Sequence, residues 1–255
     1  MTTLLGLPGD PVAGVVVDLD DTIYPQSQFL EGACDAVARC AALDGADRDQ
    51  MRSALRAALR LGSDGGHVID RALEIAGADL PLEPLVAAFR AYAPRRLEPY
   101  PGAAQALARI ARRVPLALVS DGDPAGQLAK LEATGLRQLF TSVIFSDELG
   151  RRHRKPDRLP FETALVALRL LPAVVVMVGD RPDKDVAGAA AAGMRALRVR
   201  TGEYAHVEDH PATWGVSESL ADALGFLESC IARSGASPAA VRSGPVPSRN
   251  RPGEG

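Results

Sequence analysis

The sequence predicts an α/β protein built on an open, doubly wound parallel sheet, with a small all-helical insertion. Three observations support this prediction. Short apolar runs recur along the 255-residue chain, and each ends in polar residues. Segments with apolar residues at helical spacing lie between these runs, and this alternation is typical of parallel βαβ units. The first run is an exception, because about 80 residues of helical pattern separate it from the next core helix.

The apolar runs are short, continuous and mostly β-branched, so we expect them to form strands buried on both faces of the sheet. They lie at residues 15–17, 116–119, 143–145 and 174–178, with a weaker run at 196–199. Core helices are predicted between them at 103–112, 126–134, 160–170 and 186–192, and a last helix at 217–232. Asp123 and Pro124 are expected to be the N-cap and first residue of the helix after the second strand.

The insertion after the first strand is expected to be a helical bundle. Its four predicted helices lie at 29–43, 48–61, 67–75 and 85–92, separated by glycine- and proline-rich segments. We therefore predict a core domain formed by residues 1–24 and 99–232 and a helical domain formed by residues 25–98. Serine, glycine, proline and arginine dominate residues 233–255 without apolar periodicity, which predicts a disordered tail.

Composition and charge exclude several classes of partner. The chain is 47% hydrophobic and 24% charged, and its net charge of −3 gives no electrostatic footprint for nucleic acid. The longest apolar stretch is far shorter than the ~20 residues of a membrane span, and no signal-peptide pattern opens the sequence. The three cysteines fall in no paired motif, so we expect reduced thiols. A cytoplasmic protein of open oligomeric state is expected.

The candidate functional residues follow the predicted strands. In open α/β sheets, ligands bind at the carboxyl ends of the strands. The residues found there are Asp18 and Asp20 after the first strand, Ser120 and Asp121 after the second, Lys155 in the loop after the third, and Asp180 and Asp185 after the fourth. Carboxylates gathered closely repel one another. Mg²⁺ would relieve the repulsion, because it takes carboxylate and carbonyl oxygens and keeps water sites for a phosphate ligand.

The two carboxylates after the first strand suggest a division of labour in phosphoryl transfer. Asp18 would attack phosphorus and form an aspartyl-phosphate. Asp20 would protonate the leaving oxygen and then deprotonate the hydrolytic water. Each feature alone has a plainer interpretation, such as a helix cap or turn for the aspartates and a solvated basic loop for Lys155. Their occurrence together, in order and at the expected ends of strands, favours an active site.

At these residues the sequence closely resembles the haloacid dehalogenase-like hydrolase superfamily. Residues 18–22 match its first motif, 119–122 its second, 155–156 its third and 179–185 its fourth. The helical insertion is similar to the cap domain of the phosphoglycolate-phosphatase-like subgroup, subfamily I. The resemblance implies a Rossmann-like core with an α-helical cap, hinge-like turns at 21–25 that let the cap open and close, and a Mg²⁺ cofactor.

The resemblance also implies a role for each matching residue. Asp18 would be the nucleophile and a metal ligand, and Asp20 the acid/base, whose backbone carbonyl would also bind Mg²⁺. The substrate phosphate would be held by Ser120, Asp121 and Lys155. Asp180 would bind the metal directly, and Asp185 would support it directly or through water. Asp183 matches the fourth motif less closely and would support the metal ligands without binding the metal itself.

The expected function is therefore Mg²⁺-dependent hydrolysis of a small phosphorylated metabolite. A phosphomutase shares the same motifs and stays an alternative, as does a binding protein that has lost catalysis. Dehalogenases of the superfamily lack the second carboxylate, so Asp20 argues against that activity. The sequence does not name the substrate. Specificity is expected from the cap, where residues 64–67 are a candidate loop for the leaving group, although His67 is also interpretable as a helix-start residue.

Overall fold

The computed structural model describes residues 3–4, 11–63 and 66–233, and its centre is a seven-stranded sheet. The strands are β1 Thr3–Leu4, β2 Gly14–Val17, β3 Leu116–Ser120, β4 Ser142–Phe145, β5 Val175–Gly179, β6 Arg195–Val199 and β7 Gly215–Ser217. Their order is β1-β7-β6-β5-β2-β3-β4. Only β1 runs antiparallel, against β7, within the described residues. The predicted α/β fold with a parallel sheet is confirmed. Strands β1 and β7 were not predicted from the sequence.

Nine α-helices accompany the sheet in the described part of the chain. They are α1 Gln26–Leu43, α2 Arg48–Arg60, α3 Val68–Ala76, α4 Leu82–Ala91, α5 Ala103–Ala111, α6 Pro124–Ala133, α7 Leu159–Leu168, α8 Ala187–Ala191 and α9 Leu220–Arg233. The helix predicted to start at residue 217 begins later, because Ser217 still belongs to β7. Among the helices described, none is both long and apolar enough to cross a membrane.

The strands are buried on both faces, as their continuous apolar runs predict. Successive side chains of a strand point to opposite faces. Val15 and Val17 accordingly join one apolar cluster, and Val16 joins another on the opposite face. Helices α5 and α9 supply much of the first cluster, and α7 supplies part of the second. The sheet is therefore a rigid middle layer with its strand ends fixed in space.

The strand order reverses beside β2. From β2 the chain builds outward to β3 and β4, whereas β5, β6 and β7 lie on its other side. At such a topological switch point, loops from neighbouring strands diverge to opposite faces and leave a crevice at the carboxyl edge. The loops after β2 and β5 meet there.

Helices α1–α4 form the insertion between β2 and α5, as predicted. They enclose an apolar cluster of their own that includes Val37, Met51 and Leu55. The domain boundaries predicted at residues 25 and 98 stay a prediction. The predicted disordered tail at 233–255 lies, beyond Arg233, outside the described residues, as do Asp64 and Gly65 of the candidate cap loop.

We predict that Leu55→Ala lowers the free energy of unfolding by about 2–5 kcal/mol, the usual cost of removing a buried leucine side chain. Leu55 is 0% exposed at the centre of the helical cluster. The matched control is Leu43→Ala at the end of α1, where the leucine is 86% exposed. Denaturant unfolding should separate the two variants clearly. Equal stabilities would contradict the packing described here.

Candidate active site

The predicted site residues converge at the switch point. Asp18 follows β2, Ser120 ends β3, and Asp180 follows β5. They line a chamber of about 180 Å³, together with Asp20, Asp21, Gln26, Ser63, Asp121, Arg154, Lys155, Arg181, Lys184 and Tyr204. The apolar runs of the sequence therefore predicted these strand ends to within one residue.

Lys155 lies at the centre of the site. Its Nζ donates to Asp18 Oδ1 at 2.5 Å and to Asp185 Oδ1 at 2.7 Å, and all three side chains are buried. Burial alone would lower the pKa of Lys155, but the negative charges of Asp18 and Asp185 raise it well above its ordinary value. Lys155 is therefore a fixed cation. The surrounding basic run suggested a solvated loop, and the structure shows the opposite for this residue.

The negative charge at the site exceeds what Lys155 neutralises. Burial raises the pKa of Asp18 to about 7, although Lys155 opposes the shift. Burial, followed by the charges of Asp18 and Asp185, raises the pKa of Asp180 well above its ordinary value. Thr22 fixes Asp180, because its hydroxyl donates to Asp180 Oδ1 at 3.2 Å and accepts from the Asp180 N–H at 3.1 Å. The protein holds these carboxylates together against their mutual repulsion.

Three of the carboxylates lie close enough together to share one cation. One oxygen each of Asp18, Asp180 and Asp185 lies within 4.8 Å of the other two. Gly179 permits this approach, because a Cβ at that position would lie 2.3 Å from Asp185 Oδ2. A buried set of hard oxygen donors with unbalanced negative charge fits a divalent cation such as Mg²⁺.

A turn of π-helix at Pro182–Val186 orients Asp185. The carbonyl of Arg181 accepts from the N–H groups of both Asp185 and Val186, and Asp185 Oδ2 accepts from the N–H of Arg181 at 3.0 Å. This turn precedes α8, so the predicted helix at 186–192 is shorter than expected. Asp183 lies on the exposed side and pairs with Arg181, away from the three clustered carboxylates.

Asp20 has a different environment from Asp18. Its carboxylate accepts from Tyr24 Oη at 2.5 Å, from Gln127 Nε2 at 3.1 Å and from Lys130 Nζ at 2.9 and 3.1 Å. Burial would raise the pKa of Asp20, but Lys130, Tyr24 and Gln127 together outweigh burial and lower it. Asp20 is therefore an ionised carboxylate that lies beside the cluster of Asp18, Asp180 and Asp185 and does not belong to it.

Helix α6 supplies two of these partners, Gln127 and Lys130, and neither was predicted from the sequence. The predicted cap is confirmed, because Asp123 accepts from the N–H of Gly126 at 3.0 Å and Pro124 opens the helix. Gln127 also donates to Ser120 Oγ at 2.9 Å and to the carbonyl of Asp121. Residues three apart share one helix face. The usable signal was therefore the pair Gln127 and Lys130 on a helix that begins at the site.

The side chain of Asp121 holds a loop in place. Its Oδ1 accepts from Ser146 Oγ at 2.7 Å and from the backbone N–H of Lys155 at 3.0 Å. The same carboxylate therefore joins the ends of β3 and β4 to the loop that delivers Lys155. Ser120 is buried and lines the chamber. A phosphate-binding role for these residues stays a prediction.

The helical insertion contacts the core beside the chamber. Ser63, in the loop after α2, bonds Glu203 through its hydroxyl and through its N–H at 3.2 Å. Asp21, in a left-handed turn with φ of 56°, accepts from the N–H groups of Gln26 at 2.8 Å and Glu203 at 3.2 Å. His67 lies directly before α3 and is exposed. A neighbouring cavity of about 540 Å³ shares Asp21, Gln26 and Ser63 with the chamber.

We predict that the Asp18 carboxyl makes the cation-free protein less stable as pH rises from about 4 to about 7. The native carboxyl, with a pKa of about 7, keeps a proton that the unfolded chain releases near its ordinary value of 3.8. Unfolding measured against pH in chelator-treated buffer should therefore show the wild type losing stability relative to Asp18→Asn across this range. Parallel curves for the two proteins would contradict the raised pKa.

Comparison with known proteins identifies the family of the chain. The model of the haloacid dehalogenase-like hydrolase family matches residues 12–193. A glyceraldehyde 3-phosphate phosphatase of Methanopyrus kandleri is 32% identical over 206 residues, which cover 77% of this chain and 88% of that protein. A phosphoserine phosphatase of Thermus thermophilus is 44% identical over 109 residues, 42% of this chain and 43% of its own.

A solved structure supports the fold independently of close sequence similarity. The magnesium-bound hydrolase YfnB of Bacillus subtilis superposes with a TM-score of 0.65 at 15% identity, covering 85% of this chain and 99% of that one. The matched family segment runs from before β2 to the end of α8 and therefore includes all the carboxylates of the site and Lys155. The chain belongs to the haloacid dehalogenase-like hydrolases.

Proposed function

We propose that this hydrolase is a Mg²⁺-dependent phosphatase that acts on a small phosphate ester through an aspartyl-phosphate on Asp18. The observation that carries the proposal is the arrangement around Asp18. One of its carboxylate oxygens lies within 4.8 Å of an oxygen of Asp180 and of Asp185, and its Oδ1 accepts from the buried ammonium of Lys155. The phosphatases among the relatives support hydrolysis of a small phosphate ester.

The metal would be held by Asp18, Asp180 and Asp185, and by the backbone carbonyl of Asp20 as the family resemblance implies. When bound, Mg²⁺ would neutralise part of the negative charge of the carboxylates and of the incoming phosphate. A nearby cation lowers the pKa of a carboxyl group. Asp18 would therefore be fully ionised in the loaded enzyme, as a nucleophile must be.

The first chemical step is attack of an Asp18 oxygen on phosphorus. The new O–P bond forms as the bond from phosphorus to the ester oxygen breaks, and Asp20 gives its proton to the departing alkoxide. In the substrate-free site Asp20 is a carboxylate. The negative charge of the substrate would raise its pKa and let it take up that proton.

The second step returns the enzyme to its starting state. Asp20, now a carboxylate held by Lys130, Tyr24 and Gln127, deprotonates a water that attacks the phosphorus of the aspartyl-phosphate. The bond from Asp18 to phosphorus breaks and inorganic phosphate leaves. Two carboxylates are needed because one is consumed as nucleophile in the first step.

The remaining residues would bind the phosphate and the alcohol. Lys155 and Ser120, with the backbone after β3 near Asp121, offer donors to the phosphate oxygens. The chamber of about 180 Å³ suits a small ester. We propose that helices α1–α4, the predicted domain 25–98, act as a cap. The leaving alcohol would lie toward Ser63 and Gln26, which line both the chamber and the adjoining cavity.

We predict that Asp18→Asn abolishes phosphate release, because an amide cannot form the aspartyl-phosphate. Asp20→Asn should keep the nucleophile and lose at least ~10²-fold in kcat, the usual scale for acid–base catalysis. Release of inorganic phosphate from p-nitrophenyl phosphate and from a panel of phosphorylated metabolites measures both.

Several outcomes would contradict the proposal or separate it from the alternatives. Turnover by Asp18→Asn would refute the nucleophile, and unchanged kcat in Asp20→Asn would refute the acid/base. Isomerisation of a sugar phosphate without phosphate release would indicate a phosphomutase. A wild-type protein with no turnover in the presence of Mg²⁺ would leave a non-catalytic binding protein as the better interpretation.

We predict that chelation with EDTA abolishes activity and that Mg²⁺ raises the melting temperature of the wild type. A ligand at 100 times its Kd stabilises a native protein by about 2.7 kcal/mol. Asp180→Asn should lose most of this thermal shift, since it removes one of the clustered carboxylates. Asp183→Asn is the matched control, because Asp183 is an exposed aspartate three residues later and lies outside the cluster. Equal shifts in both variants would contradict the proposed ligands.

A further inference from the structure

Lys130 is a buried lysine whose contacts with Asp20 differ from those of the other partners of that carboxylate. It lies in the last turn of α6, and its side chain is only 9% exposed. Burying an ammonium group is unfavourable unless it is paired. Within the described residues its acidic partner is Asp20 alone, and it contacts both oxygens of that carboxylate, at 2.9 and 3.1 Å. Its placement is therefore directed at Asp20.

The contacts of Asp20 show what Lys130 adds. Oδ1 accepts from Tyr24 and Lys130, and Oδ2 accepts from Gln127 and Lys130. A carboxylate has about four acceptor positions, so this one is saturated in the resting site. Exchange of a proton with substrate or water requires that one contact yields. Because Lys130 holds both oxygens, it would keep the carboxylate in place while Tyr24 or Gln127 lets go.

Lys130 also contacts the helical insertion. Its Nζ lies 4.2 Å from the centroid of the Phe29 ring, which is a favourable distance for a cation–π interaction. Phe29 belongs to α1 and packs against Phe89 and Tyr92, with ring centroids 6.0 and 5.5 Å away. The ammonium is therefore enclosed between the acid/base candidate and an aromatic cluster at the insertion.

We propose that Lys130 is a positioning residue that links the Asp20 carboxylate to cap helix α1 through Phe29. The inference rests on the proposed phosphatase function and assigns this lysine and this phenylalanine to the same reaction. Lys130 acts through Asp20, and its greatest effect falls on the step in which Asp20 must hold a water, hydrolysis of the aspartyl-phosphate.

Lys130→Met tests the proposal with p-nitrophenyl phosphate and Mg²⁺. p-Nitrophenolate leaves without needing a proton, so formation of the aspartyl-phosphate stays fast and its hydrolysis slows. We expect kcat to fall by roughly 10- to 100-fold, within the usual range for acid–base catalysis. We expect kcat/KM to stay within about threefold, because it reports the steps up to the phosphoenzyme. Rapid mixing should show a burst approaching one p-nitrophenolate per site.

Three further variants isolate the mechanism. Phe29→Leu keeps an apolar side chain and removes the ring, and should lower kcat in the same direction by a smaller factor. Adding Lys130→Met to Asp20→Asn should lower kcat no further, because the lysine acts only through Asp20. Arg109→Met is the control: it removes an ion pair of 3.0 Å between Arg109 of α5 and Glu228 of α9, neither of which lines the chamber, and should keep the wild-type kcat.

The outcomes separate this inference from the proposed function. An inert wild-type protein would refute both. An active wild type with unchanged kcat in Lys130→Met would refute the positioning role alone. A parallel fall of kcat and kcat/KM without a burst would also refute it, because it would indicate general damage to the site. If Lys130→Met does not fold, Lys130→Gln, which keeps a hydrogen-bond donor, replaces it. This variant should show the same fall in kcat, nearly unchanged kcat/KM and burst, and their absence would refute the positioning role.

Discussion

The structure depends on one electrostatic constraint, the excess of buried carboxylates over cations where β2 and β5 end. Asp18, Asp180 and Asp185 lie within reach of one another, and Lys155 is the buried cation bonded to two of them. Desolvated like charges are costly at this range. The raised pKa values of Asp18 and Asp180 express that cost. A divalent cation between the three carboxylates would remove that cost, which is why the arrangement supports the proposed metal site.

Buried strands and hydrogen bonds hold these carboxylates together despite their repulsion. The parallel strands fix where Asp18 and Asp180 begin, and both strands are buried on each face. Thr22 fixes Asp180, the π-helical turn fixes Asp185, and Asp121 fixes the loop of Lys155. Pre-organisation of this kind is what phosphoryl transfer requires, since most of its catalysis is positioning and charge neutralisation.

The sequence predicted those parts of the site that follow from strand ends and motifs. The apolar runs located five strands within one residue at each end, because a strand buried on both faces must be continuously apolar. The strand-end pattern did not extend to Lys130 or Gln127, because a polar residue within a helix resembles a solvent-facing residue until the helix is placed. Lys155 was identifiable from its loop after the third strand and from the family motif, but its burial was not, because the basic residues around it suggested a solvated loop. β7, with three residues, is too short for a distinct pattern, and that is why α9 begins later than predicted.

The contrast between Asp18 and Asp20 explains how two identical side chains two residues apart can perform different chemistry. Asp18 lies among carboxylates, and burial raises its pKa. Asp20 lies among donors from α6 and Tyr24, which lower its pKa in spite of burial. Divergent environments for paired carboxyl groups are a mark of acid/base assignment. A bound cation would favour the ionised form of Asp18, whereas Asp20 would stay available to exchange protons. In the proposed mechanism, the partners of each carboxylate, more than its position in the motif, would therefore determine which one acts as the nucleophile.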